Sequence, residues 1–294
     1  MAIDAMTAEV VRAFEDADIP SLLLKGPAVA QWLYPSESRP YGDADLLVDP
    51  AQFRHAARVL RKLGFGDASV ALGEHAHTYR RKRDGFVEVV DLHRTLPLVG
   101  ARPSEAWLAF NEGAETMEVG RLTVRVPAIS RRLLHLAIHA CQHVFEATGP
   151  IEDVRRALTA ADRESWQDAV VLSRRLRAED ALAAGLCLFP EGEELSRSLG
   201  LTTERRGLLR MVASENPDPA AYQLQRILDA DGMRERLTLL LNPLFMSPPL
   251  LRQDSAMAHR GRAGLVAAYV ARPFVLAARF APALVARRRI LHRQ

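Results

Sequence analysis

The stretch Leu22 to Asp49, LLLKGPAVAQWLYPSESRPYGDADLLVD, constrains this chain more than any other. An apolar run, Ile19 to Leu24, reads as a buried strand. Gly26-Pro27 turns it, and Pro27 suits the first position of a short helix over Ala28 to Leu33. A loop rich in Pro, Ser and Gly leads from Tyr34 to Gly42. Asp43 to Val48 then reads as a second strand, stopped by Asp49-Pro50. Residues two apart on a strand share a face, so Asp43 and Asp45 project together while Ala44 and Leu46 turn the other way. Carboxylates that close repel unless something positive lies between them. A divalent cation resolves the repulsion, and oxygen donors favour Mg²⁺ or Mn²⁺. An Asp-x-Asp pair beside a strand is also compatible with a solvated turn, so the pair alone does not decide.

The surroundings of the pair are more specific. Asp49-Pro50 caps a helix over Ala51 to Leu63, with Phe53, Ala56, Ala57 and Leu60 on one face. Strands are expected at Phe65 to Val70 and His75 to Lys82. Asp84-Gly85 is a hairpin turn, and Phe86 to Leu92 is the return strand. That strand ends Asp91-Leu92-His93, an acid at the end of an apolar run. Transfer of a phosphoryl-type group with two metals needs a third carboxylate beside the nucleophile. Asp91 is the candidate, and Glu88, on the opposite face, is the weaker one. Phosphates need positive groups near these acids. Lys25-Gly26 before a helix start offers a point charge, a close backbone approach and a helix N-terminus. Arg39, four residues before Asp43, can reach phosphates as well.

This arrangement resembles the nucleotidyltransferase superfamily that includes DNA polymerase β and the aminoglycoside nucleotidyltransferases. More closely, residues 20–95 are similar to a bacterial nucleotidyltransferase-like family with a Lys-Gly turn, an Arg before Asp-x-Asp, and an Asp-Leu-His strand. The resemblance continues weakly to the helix of His135, His139 and His143 and to Asp153. It departs from the broad superfamily at the turn, where Lys25-Gly26-Pro27 replaces the usual Gly-Ser or Gly-Gly. The resemblance implies a polymerase β-like fold. It also implies transfer of a nucleoside monophosphate from an NTP, with ATP the expected donor, and release of pyrophosphate. Asp43, Asp45 and Asp91 would be the metal-binding catalytic residues, and Lys25, Gly26 and Arg39 the nucleotide-binding ones. It names no acceptor, which is left open among small molecule, protein and RNA.

From Pro127 the texture turns helical, with helical spacing over 128–147, 151–160, 164–189, 203–214, 219–231 and 232–241. A hairpin through Glu118 to Leu122 precedes it. The fold class expected is therefore α+β: a mixed sheet with flanking helices over 1–126, a helical domain over 127–258, and a basic apolar segment over 259–294. His135, His139 and His143 recur every four residues along one helical face. They lack the HExxH pattern of a zinc helix, so the row is expected at the domain interface, with His139 on the acceptor side. His93 and His77 are further acceptor-side candidates. Asp153, near a helix start, is either a dipole complement or a functional acid.

Composition closes off other classes. The 294 residues carry a net charge of only +3, too little for the whole protein to be a polyanion binder. Two cysteines make no disulfide framework, and the N-terminus has no signal-peptide pattern, so a cytoplasmic setting is expected. No stretch of ~18 uninterrupted apolar residues predicts a transmembrane helix. Residues 260–294 hold eight Arg and no acid, with apolar runs expected to break at Pro273 and Pro282. That segment either packs on the body, lies on an anionic membrane surface, or touches nucleic acid. Two rival functions stay open. One is a non-catalytic nucleotide- or partner-binding protein of the same fold, antitoxin-like or scaffold. The other is a toxin-like enzyme acting on tRNA.

Overall fold

The computed structural model describes residues 2–68, 75–143 and 148–201 continuously, and beyond them a discontinuous set that includes 232–241 and 255–292. Residues up to 68 together with 75–201 form one compact unit, and a second is built from the chain beyond 201. The helices expected over 203–214 and most of 219–231 lie outside the described residues.

In the first unit, α1 (Ala2–Glu15) leads into β1 (Ser21–Leu23), α2 (Pro27–Leu33), β2 (Ala44–Val48) and α3 (Phe53–Lys62). The strands β3 (Gly66–Asp67), β4 (Ala76–Arg83) and β5 (Phe86–His93) follow. These five strands make one sheet in the order β1-β2-β5-β4-β3. Only β2 and β5 run parallel; the other neighbours are antiparallel. The β4–β5 hairpin turns through Asp84 and Gly85, both with positive φ (49° and 81°), as a two-residue turn of the primed type requires.

Strand alternation divides the sheet into two faces. Ala44, Leu46, Val48, Tyr79, Val90 and Leu92 form one core with Met6, Val10 and Phe14 of α1 and with Ala56 and Leu60 of α3. Burying each large side chain there contributes roughly 1.5–3 kcal/mol. The rim of this face is tied by Arg81, whose guanidinium donates to Glu88, Glu9 and the carbonyl of Leu63. The opposite face carries the acids.

After α4 (Pro103–Asn111), β6 (Glu115–Val119) and β7 (Leu122–Val126) form the expected hairpin. Five helices follow: α5 (Ile129–His143), α6 (Gly149–Ala160), α7 (Arg163–Arg175), α8 (Glu179–Leu186) and α9 (Pro190–Ser198). The single helical segment read over 164–189 is two helices, because the chain turns at Arg177 with φ 53°. Helix α5 is the hub against which α6, α7 and α8 pack. At its crossing with α8 a Cβ on Gly185 would lie 2.6 Å from Ala137 Cα, so only glycine permits that approach.

The second unit contains α10 (Met233–Leu241), a 3₁₀ turn (Ala256–His259) and α11 (Gly261–His292). Leu251, Ala258 and Ala268 make a small core there, with Leu265 and Tyr269 against it. Two features of α11 bear on the basic apolar segment. Pro273 and Pro282 lie inside α11 and do not end it. A proline deletes one hydrogen bond, and the alanine-rich flanks carry the helix past it. By length and composition α11 is also long and apolar enough to cross a membrane, with a mean hydropathy of 1.4 over an 18-residue window within Gly261–Arg289. Single arginines such as Arg272 and Arg279 interrupt its apolar runs without lowering the average enough to exclude it.

Candidate active site

Asp43 sits immediately before β2, Asp45 on it, and Asp91 near the end of β5. The parallel register sets Asp45 directly opposite Asp91, so both project from one face, and Asp43 joins them by alternation. Ligating atoms of the three carboxylates lie within 4.8 Å of one another. Asp45 is almost fully buried, at 1% exposure.

Two protein groups converge on one oxygen of Asp45. Lys25 Nζ lies 2.9 Å from Oδ1, and His93 Nε2 lies 3.1 Å from the same atom. An ionised carboxylate only accepts, so His93 donates from Nε2. The second oxygen, Asp45 Oδ2, is buried without a hydrogen-bond partner, and so is Asp91 Oδ1. Buried acceptors left unpartnered cost free energy. Here they face a cluster of three acids, which is the donor set a hard divalent cation takes. The residues present fit Mg²⁺ or Mn²⁺.

Burial raises the Asp43 carboxyl, and the Asp45 charge raises it further, against Lys25. Burial also works against ionisation of Asp45, but Lys25 and His93 outweigh it and hold the carboxyl below its ordinary range. The strand therefore presents two acids of opposite tendency two residues apart.

Lys25 is held from its other side by His139, whose Nε2 lies 3.0 Å from Nζ. Burial, with Lys25 beside it, pushes His139 well below the usual histidine value. His135, one turn earlier, is pushed to about 3 by burial and by Lys25. The histidine row of α5 therefore lies over the acid face of the sheet, with His139 against Lys25. Gly26 follows Lys25 with φ 64° and ψ −120°, a conformation that glycine alone adopts readily. Helix α2 is only seven residues long, so the turn contributes chiefly by aiming Lys25.

Other candidates fall elsewhere. Arg39 donates Nε and Nη2 to the two oxygens of Asp153, at 2.8 and 2.6 Å. Tyr34 adds its hydroxyl to Asp153 at 2.8 Å. Asp153 is fully buried, so it is a clamp on the loop before Asp43, not a dipole complement. His77 is a correction: the hairpin pairs it with Leu92 and pairs Asp91 with Thr78. His77 therefore points to the α3 face, where its ring meets Phe53 at 5.2 Å. Glu88 is on that face as well, bound to Arg81. His93 lies at the acids, as a donor to Asp45. The Lys25–His139 contact and the Asp153 clamp were not read from the sequence, since each joins segments 114 residues apart.

Residues 1–191 match the protein family described as uncharacterised nucleotidyltransferase. No curated protein matches the chain significantly. Among solved structures, the antibiotic-resistance factor ANT(2'')-Ia in complex with adenylyl-2''-tobramycin is 19% identical with a TM-score of 0.45, covering 60% of this chain and 98% of its own. A solution structure of the same factor is 18% identical with a TM-score of 0.44, covering 60% and 92%. An antigenic nucleotidyltransferase-like protein from Paracoccidioides brasiliensis is 16% identical with a TM-score of 0.39, over 60% and 92%.

Proposed function

This chain belongs to that nucleotidyltransferase family, and from this premise we propose that it moves a nucleoside monophosphate from an NTP to an acceptor hydroxyl. The observation that carries the reading is the triad Asp43, Asp45 and Asp91, with ligating atoms within 4.8 Å of one another and with Asp45 Oδ2 and Asp91 Oδ1 buried and unpartnered. A divalent cation bound there supplies positive charge to the phosphates during transfer. Asp43, Asp45 and Asp91 hold it, and Asp91 takes the acceptor proton. The acceptor oxygen bonds to the α-phosphorus, the bond to the bridging oxygen breaks, and pyrophosphate leaves. Lys25 and the Gly26 turn meet the phosphates. Arg39, with two of its donors on Asp153, orders the approach to Asp43. ATP is the first donor to test, and two cysteines that form no disulfide suit a reducing, cytoplasmic setting. Helix α11, basic and largely exposed, adds a peripheral contact with an anionic membrane.

The test is metal-dependent nucleotide binding. Asp43→Asn with Asp45→Asn should abolish affinity for Mg-ATP, and unchanged affinity in the double variant removes the metal site from the reading.

One observation favours a second reading. Asp45 already has an internal counter-charge in Lys25, as a non-catalytic binding protein of this fold would need. Incubation with each α-labelled NTP and Mg²⁺ or Mn²⁺ separates the two. Pyrophosphate release or self-labelling belongs to the enzyme, and nucleotide binding without turnover to the binding protein.

A further inference from the structure

We propose that this site works with one divalent cation instead of two, and that the Lys25 ammonium is its second positive charge. The inference rests on the nucleotidyltransferase reading and deepens it.

A pair of cations a few ångströms apart needs a shared carboxylate that gives one oxygen to each. Asp45 is the residue placed for that role, since it stands between Asp43 along the strand and Asp91 across it. Each carboxylate oxygen has about two lone-pair positions. On Oδ1 both are taken, by Lys25 Nζ at 2.9 Å and His93 Nε2 at 3.1 Å. Only Oδ2 is unpartnered. Asp45 can therefore ligate one ion without giving up a protein donor.

Lys25 is fixed in this position from three directions. Gly26 sets the backbone with its positive φ. Asp45 accepts from one side of the ammonium. His139 accepts from the other through Nε2, which requires a neutral ring carrying its proton on Nδ1. Burial beside Lys25 keeps His139 in that neutral form. An ammonium held between two acceptors, on a side chain only 14% exposed, is a cation built into the fold.

The experiment counts ions. Binding of Mn²⁺ to the full chain is followed by electron paramagnetic resonance with saturating α,β-methylene analogues of ATP, GTP, CTP and UTP in turn. The result expected is one Mn²⁺ per nucleotide-bound chain. Two Mn²⁺ would overturn the single-cation inference and leave the nucleotidyltransferase reading standing. Failure of every analogue to bind would overturn that reading, and the inference with it. A second measurement needs no variant. The chain has only three lysines, Lys25, Lys62 and Lys82, so ¹⁵N spectra of the ζ-ammonium groups resolve Lys25 directly. Its signal should stay protected from exchange when the Mg²⁺ complex of the bound analogue forms. Loss of protection would show that the ion displaces Lys25, and would overturn the inference.

Discussion

Arg39 and Asp153 are joined by two side-by-side hydrogen bonds, Nε to Oδ1 and Nη2 to Oδ2, across 114 residues of sequence. This fork-on-carboxylate geometry is the strong form of an ion pair. Asp153 is fully buried and the Arg39 side chain is 12% exposed, so the carboxylate depends on this partner.

Asp153→Asn should therefore destabilise the first unit. The amide presents an N–H where Arg39 also presents one, and Tyr34 competes for the oxygen that is left. Breaking a buried pair from one side costs roughly 3–5 kcal/mol. Urea unfolding should show a lower midpoint with an unchanged slope. Arg39→Lys keeps the charge but loses the fork, so a smaller loss is expected. Equal stability of both variants and the parent would show that the clamp contributes nothing.

Much of the site was legible because it depends on alternation. Asp43 and Asp45 share a face on any strand, and Asp91 closes the set once β5 lies beside β2. His77 was misplaced although the sequence contained the remedy. The two-residue turn at Asp84-Gly85 pairs Arg83 with Phe86, and counting back from it pairs Asp91 with Thr78. Parity then puts His77 on the far face. Asp153 and the Lys25–His139 contact were not legible, because no local pattern records which helix covers which strand. Helix α11 turns on a different measure: uninterrupted apolar runs are a stricter test than mean hydropathy, and a long helix can carry prolines in its interior.

Gly26→Ala should cost stability through backbone strain alone. The nearest side-chain atom to an added Cβ is Tyr41 Cδ2 at 3.5 Å, an ordinary contact. The φ of 64° with ψ −120° is the source of the cost, roughly 1–3 kcal/mol. If the backbone relaxes instead, Lys25 moves off Asp45. Thermal melts and the Lys25 ζ-ammonium signal separate these outcomes; a variant matching the parent in both would contradict the strain.

His135 predicts a pH dependence of folding. The groups facing it are Lys25, Asp45 and His93, and the ring also interacts with the backbone of Leu24. Its folded value of about 3 lies below the unfolded value near 6.5. The unfolded chain therefore binds the extra proton between these limits, and stability falls as pH drops from 6.5 towards 3. One unit below the unfolded value the loss is roughly 1.4 kcal/mol from this group. His135→Gln should flatten that part of the stability profile measured by urea unfolding from pH 7 to pH 5. A slope identical to the parent's would assign the dependence to other groups.

The last prediction concerns α11. Its exposed residues include Val266, Val270, Phe274 and Val285, while the segment 260–294 has eight Arg and no Asp or Glu. An apolar surface interspersed only with positive charge is complementary to an anionic bilayer and mismatched to an acid-free protein core. The full chain should co-float with phosphatidylserine-containing vesicles and bind phosphatidylcholine vesicles far less. Arg287, Arg288 and Arg289 are adjacent at the helix end, each contributing about 1 kcal/mol near such a surface. Replacing all three by Gln should weaken vesicle binding by about a hundredfold, and 0.5 M salt should weaken the parent in the same direction. Equal binding to both vesicle types would remove the electrostatic part of the contact. Absence of binding to either would leave the apolar face to protein contacts.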